Sequence, residues 1–301
     1  MKRFLIGKAA AVAGFALAIG LAIAPPSRAQ QTPPDQPAKP TLAPSSQPNP
    51  PALNPVAPGA PITPAEPPKA DPAEEAAYKA FSEIKPEDSD KRILDGEHFA
   101  QKYPASKYSL QVYTALTDAY YNKQQLDKMF ATADKALALD PDDVSVLVMV
   151  GWVIPHSHDP NDLESDRKLD KAEAYERHAL EVLATLPKPA GLTDDQFSKV
   201  KVQAQSQAHS ALGLIYYRRQ DPAKSIAEFQ LGTSTAPTPD PIDYFVMGVE
   251  LQKLTKYTEA ADSFQKCAAI PGPFVDRCKT AGEQAKKLAA SSPVAPPAPK
   301  P

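Results

Sequence analysis

Residues 112–143 read VYTALTDAYYNKQQLDKMFATADKALALDPDD, and the fold follows from how their apolar positions recur. Tyr113, Leu116, Ala119 and Tyr120 fall at three- and four-residue spacings, which is one face of a helix. Met129, Phe130, Ala133, Ala136 and Leu137 repeat that spacing on a second helix. Gln124 and Gln125 leave room only for a tight corner between them. Asp140-Pro141 closes the unit, because proline has no N–H to continue a helix and pushes the preceding residue toward extended backbone. Such a pair has too little apolar surface to fold alone and needs neighbours stacked on both sides.

Those neighbours are visible in the rest of the chain. Gly151 lies 34 residues after Thr117, and the steps from Gly213 to Gly248 and from Phe229 to Phe264 are both 35. Small residues recur where paired helices must approach closely: Gly151, Gly213 and Gly248 on first helices, Ala136, Ala179, Gly232 and Cys267 on second ones. Tyr113, Leu116, Tyr120, Ala136 and Pro141 stand at the spacing of a tetratricopeptide repeat, which the unit resembles. The segment Phe99-Ala-Gln-Lys-Tyr103-Pro104-Ala-Ser-Lys-Tyr108 looks like a turn of envelope-associated repeat proteins, so the resemblance is to the exported bacterial type. It implies an all-α, right-handed α-solenoid of antiparallel helix pairs. The pairs start at Asp71-Pro72, where Asp71 suits an N-cap, and a final helix from Pro273 to about Ala290 covers the last pair. Two departures are expected. The loop Pro155 to Lys168 exceeds the family's tight turn by nine residues, and the capping-box signature Thr193-Asp-Asp-Gln196 opens an overlong helix to about Arg219.

The flanks have a different composition. Of 301 residues 35 are proline, concentrated in Gln31–Pro72 and in the tail that ends PVAPPAPKP. The organisation expected is a signal peptide over 1–29, a proline-rich disordered linker over 30–70, the helical domain over 71–290 and a disordered tail over 291–301. In the leader, Lys2, Arg3 and Lys8 precede an apolar run from Ala9 to Ala24, and Ser27 and Ala29 put small residues before Gln30. An uncleaved anchor is the alternative, although that run is short of the ~20 residues a spanning helix needs. After cleavage no stable membrane span is expected, and the protein would be periplasmic or secreted. A net charge of −3 gives no electrostatic footprint for nucleic acid.

Chemistry is sparse. Cys267 and Cys278 flank the Pro271-Gly272-Pro273 turn, so on adjacent antiparallel helices they come to similar heights, which suits a disulfide in an oxidising compartment. Two buried thiols are the alternative. His156, Ser157, His158 and Asp159 invite a metal reading, but no further ligands sit nearby in sequence and no H-E-x-x-H pattern exists, so a polar loop is expected and no metal. Asp194-Asp195 and Asp142-Asp143 fall at helix starts, where they complement the helix dipole. With no nucleophile motif and no phosphate-binding glycine loop, neither an enzyme nor a cofactor is expected.

What remains is the concave groove, which the resemblance assigns to the first helix of each pair. By position it would carry Thr114, Asp118, Tyr121 and Asn122, then Val148, Trp152 and His156, then Ser210, Leu214, Tyr217 and Arg218, then Phe245, Val249 and Lys253. Trp152, Tyr121, Tyr217 and Phe245 would form an aromatic stripe for a peptide or extended protein segment. Packing between repeats is the alternative role for Trp152 and Phe245. Where some family members grip a terminal carboxylate with Lys and Asn, this chain has Thr114 and Asp118, which disfavours that ligand. The function expected is a non-catalytic scaffold or assembly factor of the cell envelope. A structural spacer, or a metal-binding accessory using the His156–Asp159 loop, is the alternative.

Overall fold

The computed structural model describes residues 71–189 and 191–291. The leader, the proline-rich linker and the tail from residue 292 onward lie outside the described residues. Within them the chain forms eleven helices and no strand. They are α1 (Pro72–Ser82), α2 (Ser89–Lys102), α3 (Ser109–Asn122), α4 (Leu126–Leu139), α5 (Val144–His156), α6 (Ser165–Thr185), α7 (Asp194–Arg218), α8 (Pro222–Thr235), α9 (Pro241–Lys253), α10 (Tyr257–Ala269) and α11 (Val275–Ser291). Consecutive helices pack as five pairs, α1 with α2 through α9 with α10, and α11 lies against α10. First helices also touch one another, α3 to α5, α5 to α7 and α7 to α9, so they line one side of an α-solenoid.

Local chemistry sets the helix ends. Asp71, Asp221 and Asp240 each accept a backbone N–H with a proline in the first helical turn, the position where its missing N–H costs nothing. Thr193 and Gln196 complete a reciprocal capping box at the head of α7. The three tight corners share one geometry. Gln124, Gln220 and Thr255 have φ of 57°, 58° and 59°. The N–H of the next residue reaches back to the carbonyl of Tyr120, Tyr216 or Leu251 at 2.9, 3.0 and 2.9 Å, which satisfies a carbonyl the helix end would otherwise orphan.

The small first-helix residues do what close approach requires. A Cβ on Gly213 would meet Phe229 Cδ1 at 2.7 Å, and one on Gly248 would meet Phe264 Cε1 at 2.7 Å. At the third pair the residue over Gly151 is Glu176 rather than an aromatic ring. It is fully buried, and neither carboxylate oxygen has a hydrogen-bond partner. One buried apolar cluster runs from Phe81 through α3–α7, a second joins Phe229, Met247 and Phe264, and a third links Leu147, Val148, Ala179 and Ala208. The overlong α7 thus extends the core, with Ala204 and Ala208 buried.

The long loop is shorter than expected. Pro155 and His156 belong to the last turn of α5, and α6 begins at Ser165, leaving only residues 157–164 between them. The polar run Ser165–Lys168 hides its helical character, since Leu169 is the first fully buried apolar residue of α6. Cys267 and Cys278, both fully buried, form a disulfide with a Cα–Cα distance of 5.8 Å that ties α10 to α11. No helix of the described residues is long and apolar enough to cross a membrane.

Candidate binding ridge on the inner face

The expected aromatic stripe divides in two. Tyr121, Trp152, Tyr217 and Lys253 all sit in the last turns of first helices, so stacking those helices brings the four to one edge of the inner face. The Tyr121 and Trp152 rings meet edge to face, 6.1 Å between centroids at 83°. His156 also stacks on Trp152, at 3.8 Å and 26°. Its Nδ1–H donates to the Trp152 carbonyl at 2.6 Å. Burial of the ring lowers the His156 pKa to about 4, helped by the Arg218 charge and opposed by the Trp152 bond. The residue as a whole keeps solvent-exposed surface while its ring is stacked on Trp152.

Arg218 continues the ridge. Its Nε donates to the Pro155 carbonyl at 3.1 Å, and its guanidinium lies 5.8 Å from the Tyr217 ring centroid. Lys253 covers the same ring from α9 at 5.0 Å. Lys253 Nζ also lies 2.6 Å from Glu250 Oε1, an ion contact without hydrogen-bond geometry, since neither carboxylate oxygen of the fully buried Glu250 accepts a hydrogen bond. Among the described residues no carboxylate pairs with Arg218.

Asp118 and Asn122 lie at the far end, on α3. Burial raises the Asp118 pKa to about 6 against the opposing charge of Arg92, whose Nη1 is 3.9 Å from Oδ2. Asn122 Nδ2 donates to Oδ2 at 3.4 Å, and Oδ1 is left without a partner. Burial, then the Asp118 charge, raises the Tyr121 pKa.

Five expected groove residues have other places or partners. Leu214 is 7% exposed and packs in the core with Phe229 and Met247, because α9 covers that face of α7. Phe245, in the first turn of α9, lies 5.5 Å from Phe264 and 6.2 Å from Phe274, with the Arg277 guanidinium 4.7 Å over its ring. Eight residues along one helix separate it from Lys253 by about 12 Å, so it belongs to the opposite edge. Thr114 and Ser210 are committed to the scaffold, donating to Asp143 Oδ2 at 2.8 Å and Asp243 Oδ1 at 2.7 Å across neighbouring first helices. Val148 is buried. The members of the histidine loop part company: His158 Nδ1 lies 2.8 Å from Ser165 Oγ, and Asp159 Oδ1 accepts from Asn161 at 2.9 and 3.0 Å. Sequence position did not reveal Glu250, Arg92 or Arg277 as neighbours of the groove. Each reaches it through a contact between helices that periodicity does not encode.

A family model described as tetratricopeptide repeat matches residues 110–143. Among solved structures, the chain is similar to a thermophilic TPR protein of Thermus thermophilus, at 11% identity and a TM-score of 0.44 over 71% of this chain and 99% of that one. It is also similar to the Pseudomonas aeruginosa pilF protein, at 16% identity and a TM-score of 0.49 over 73% and 95%. No curated protein sequence matches the chain.

Proposed function

We propose that this chain, whose residues 110–143 match the tetratricopeptide-repeat model, is a non-catalytic scaffold of the cell envelope that holds an extended segment of a protein partner against the ridge from Tyr121 to Lys253. The observation that carries this reading is that Tyr121 and Trp152 meet edge to face while Arg218, next to Tyr217, bonds the Pro155 carbonyl of α5, so half-buried rings of three successive first helices come to one region of the inner face. Rings held rigid by packing lose little entropy on binding and bury large area, which is why aromatic anchors dominate protein interfaces. Export is supported by the basic, apolar and small-residue regions of Met1–Ala29, and by a disulfide of the kind that persists in oxidising compartments. The proline-rich stretch 30–70 would then act as a spacer, at roughly 3 Å per residue when extended.

The test is retrieval of partners from an envelope extract with the wild-type domain and with a Trp152→Ala, Tyr217→Ala double variant whose circular dichroism is unchanged. The variant should lose the proteins that the wild type retrieves. Equal retrieval by a folded variant would remove the ridge as the binding surface.

A further inference from the structure

Most charge beside the inner-face rings is already met. Asp118 is paired with Arg92, and Lys253 lies against Glu250. What stays open is ring surface and hydrogen-bond donors. The Trp152 indole N–H and the Tyr121 and Tyr217 hydroxyls make no hydrogen bond among the described residues, and none is an orphan sealed from solvent. Arg218 already donates to a carbonyl, that of Pro155, through Nε and keeps its terminal nitrogens for acceptors of the same kind. Such a surface suits a ligand that lies flat on rings and brings carbonyl oxygens with few N–H groups. A proline-rich strand has that chemistry, since each proline carries a carbonyl and no N–H, and aromatic-lined grooves take such strands.

The chain has such a strand beside the domain. Residues 40–65 hold nine prolines in 26 positions, with no charged and no aromatic residue, and with Leu42, Leu53, Val56 and Ile62 among them. The domain begins close to the rings. Glu75 and Tyr78 of α1 contact Lys107 and Tyr108, just before α3. Tyr121 lies thirteen residues beyond Tyr108, about 20 Å along that helix. The five residues from Glu66 to Ala70 span roughly 15 Å when extended, so the uncharged run reaches the first ring within a few residues. From α3 to α7 is two interhelix steps of roughly 10 Å each, which about seven more extended residues cross.

We propose that the chain's own residues 40–65 lie across Tyr121, Trp152 and Tyr217 when no partner is bound, so that a partner must displace them to reach the ridge. The inference rests on the proposed binding role of the ridge and adds its regulation. Its warrant is reach and chemistry together: the strand is attached within a few residues of the first ring, carries no charge to desolvate, and supplies acceptors where the ridge supplies donors. Attachment also makes a weak contact sufficient. A short tether holds the strand at roughly millimolar effective concentration, so a dissociation constant on the order of 100 μM keeps the ridge about nine-tenths covered.

Trp152 is the only tryptophan of the chain, so its fluorescence reports the ridge directly. Acrylamide quenching is measured on the full chain, on a variant with residues 40–65 replaced by a Gly-Ser sequence of equal length, and on a variant lacking residues 292–301. The replaced residues lie outside the eleven helices, and unchanged circular dichroism is the control. The Gly-Ser chain should be quenched more efficiently than wild type, and the tail deletion should match wild type. A synthetic peptide of residues 40–65 should restore the shielding of the Gly-Ser chain saturably. It should bind the wild-type chain about tenfold more weakly, because the attached strand competes with it. Tyr217→Ala in the Gly-Ser chain should weaken the peptide roughly fivefold or more, the scale of an interface anchor. Equal quenching of wild type and the Gly-Ser chain, exposure of Trp152 by the tail deletion instead, or loss of wild-type shielding on dilution would each overturn the proposal. The second outcome would assign the ridge to the tail and the third to a second copy of the chain. Ring-dependent retrieval of partners would survive all three, whereas loss of the ridge reading shows in the retrieval test itself.

Discussion

Glu176→Gln should make the protein more stable, by an amount that grows with pH. Glu176 lies over Gly151 in the contact of α5 with α6, fully buried, with both carboxylate oxygens unpartnered. Desolvation pushes its pKa well above the ordinary 4.5, so the folded state holds a proton that the unfolded state releases. The neighbouring charges on α6 do not compensate it. Glu173 accepts from Tyr216, Arg219 and Arg177, and Lys171 pairs with Asp134 at 3.0 Å. The sign follows from proton counting. Where the folded state binds more protons than the unfolded state, stability falls as pH rises, by about 1.4 kcal/mol per pH unit for one group. The loss begins near 4.5, the unfolded value, and continues up to the raised folded value. Glutamine keeps the shape and removes the titration. Urea denaturation followed by far-ultraviolet circular dichroism, for wild type and variant at about pH 5, 6, 7 and 8, gives the difference in stability at each pH. Asp118, raised to about 6, and Asp243, raised to about 7 by burial, titrate in both proteins and cancel in that difference. A difference that does not change with pH would refute the reasoning, because it would mean that Glu176 ionises as freely in the folded chain as in the unfolded one.

Two further outcomes test the packing. Gly248→Leu should destabilise by at least about 1–3 kcal/mol, the scale of overpacking, since even its Cβ would press on the Phe264 ring at 2.7 Å; a thermal midpoint equal to wild type would contradict the close approach of α9 and α10. Replacing Cys267 and Cys278 by Ala should cost roughly 2–3 kcal/mol by the chain-entropy relation for a loop of sequence separation 11, measured as a fall in urea midpoint that reductant reproduces in the wild type.

The identity and order of the helices were legible along the chain because each carries its own marks. Asp-Pro starts, the corner at Gln124 and Gln125 and the capping box at Thr193 are local signals, and each appears where it was expected. The start of α6 was harder to see, since Ser165–Lys168 is polar and Leu169 is buried only because other helices cover it. Local hydrogen bonding and 3.6-residue periodicity therefore determined the α-solenoid from the sequence by itself. Tertiary structure alone decided which side chains of the first helices stay accessible on the inner face. Leu214 and Trp152 occupy equally good groove positions by spacing, yet α9 covers Leu214, while Trp152 stays only half-buried between Tyr121 and His156 contacts. The same holds for charge: Glu176 stands nine residues beyond the 16-residue step that separates Gly213 from Phe229 and Gly248 from Phe264. The extra residues between α5 and α6 hide that equivalence in the sequence, and it emerges only when Glu176 is found over Gly151. Periodicity fixes the direction in which a side chain leaves its helix; only the placement of the neighbouring helices determines whether it meets water, a ring or nothing that can bond to it.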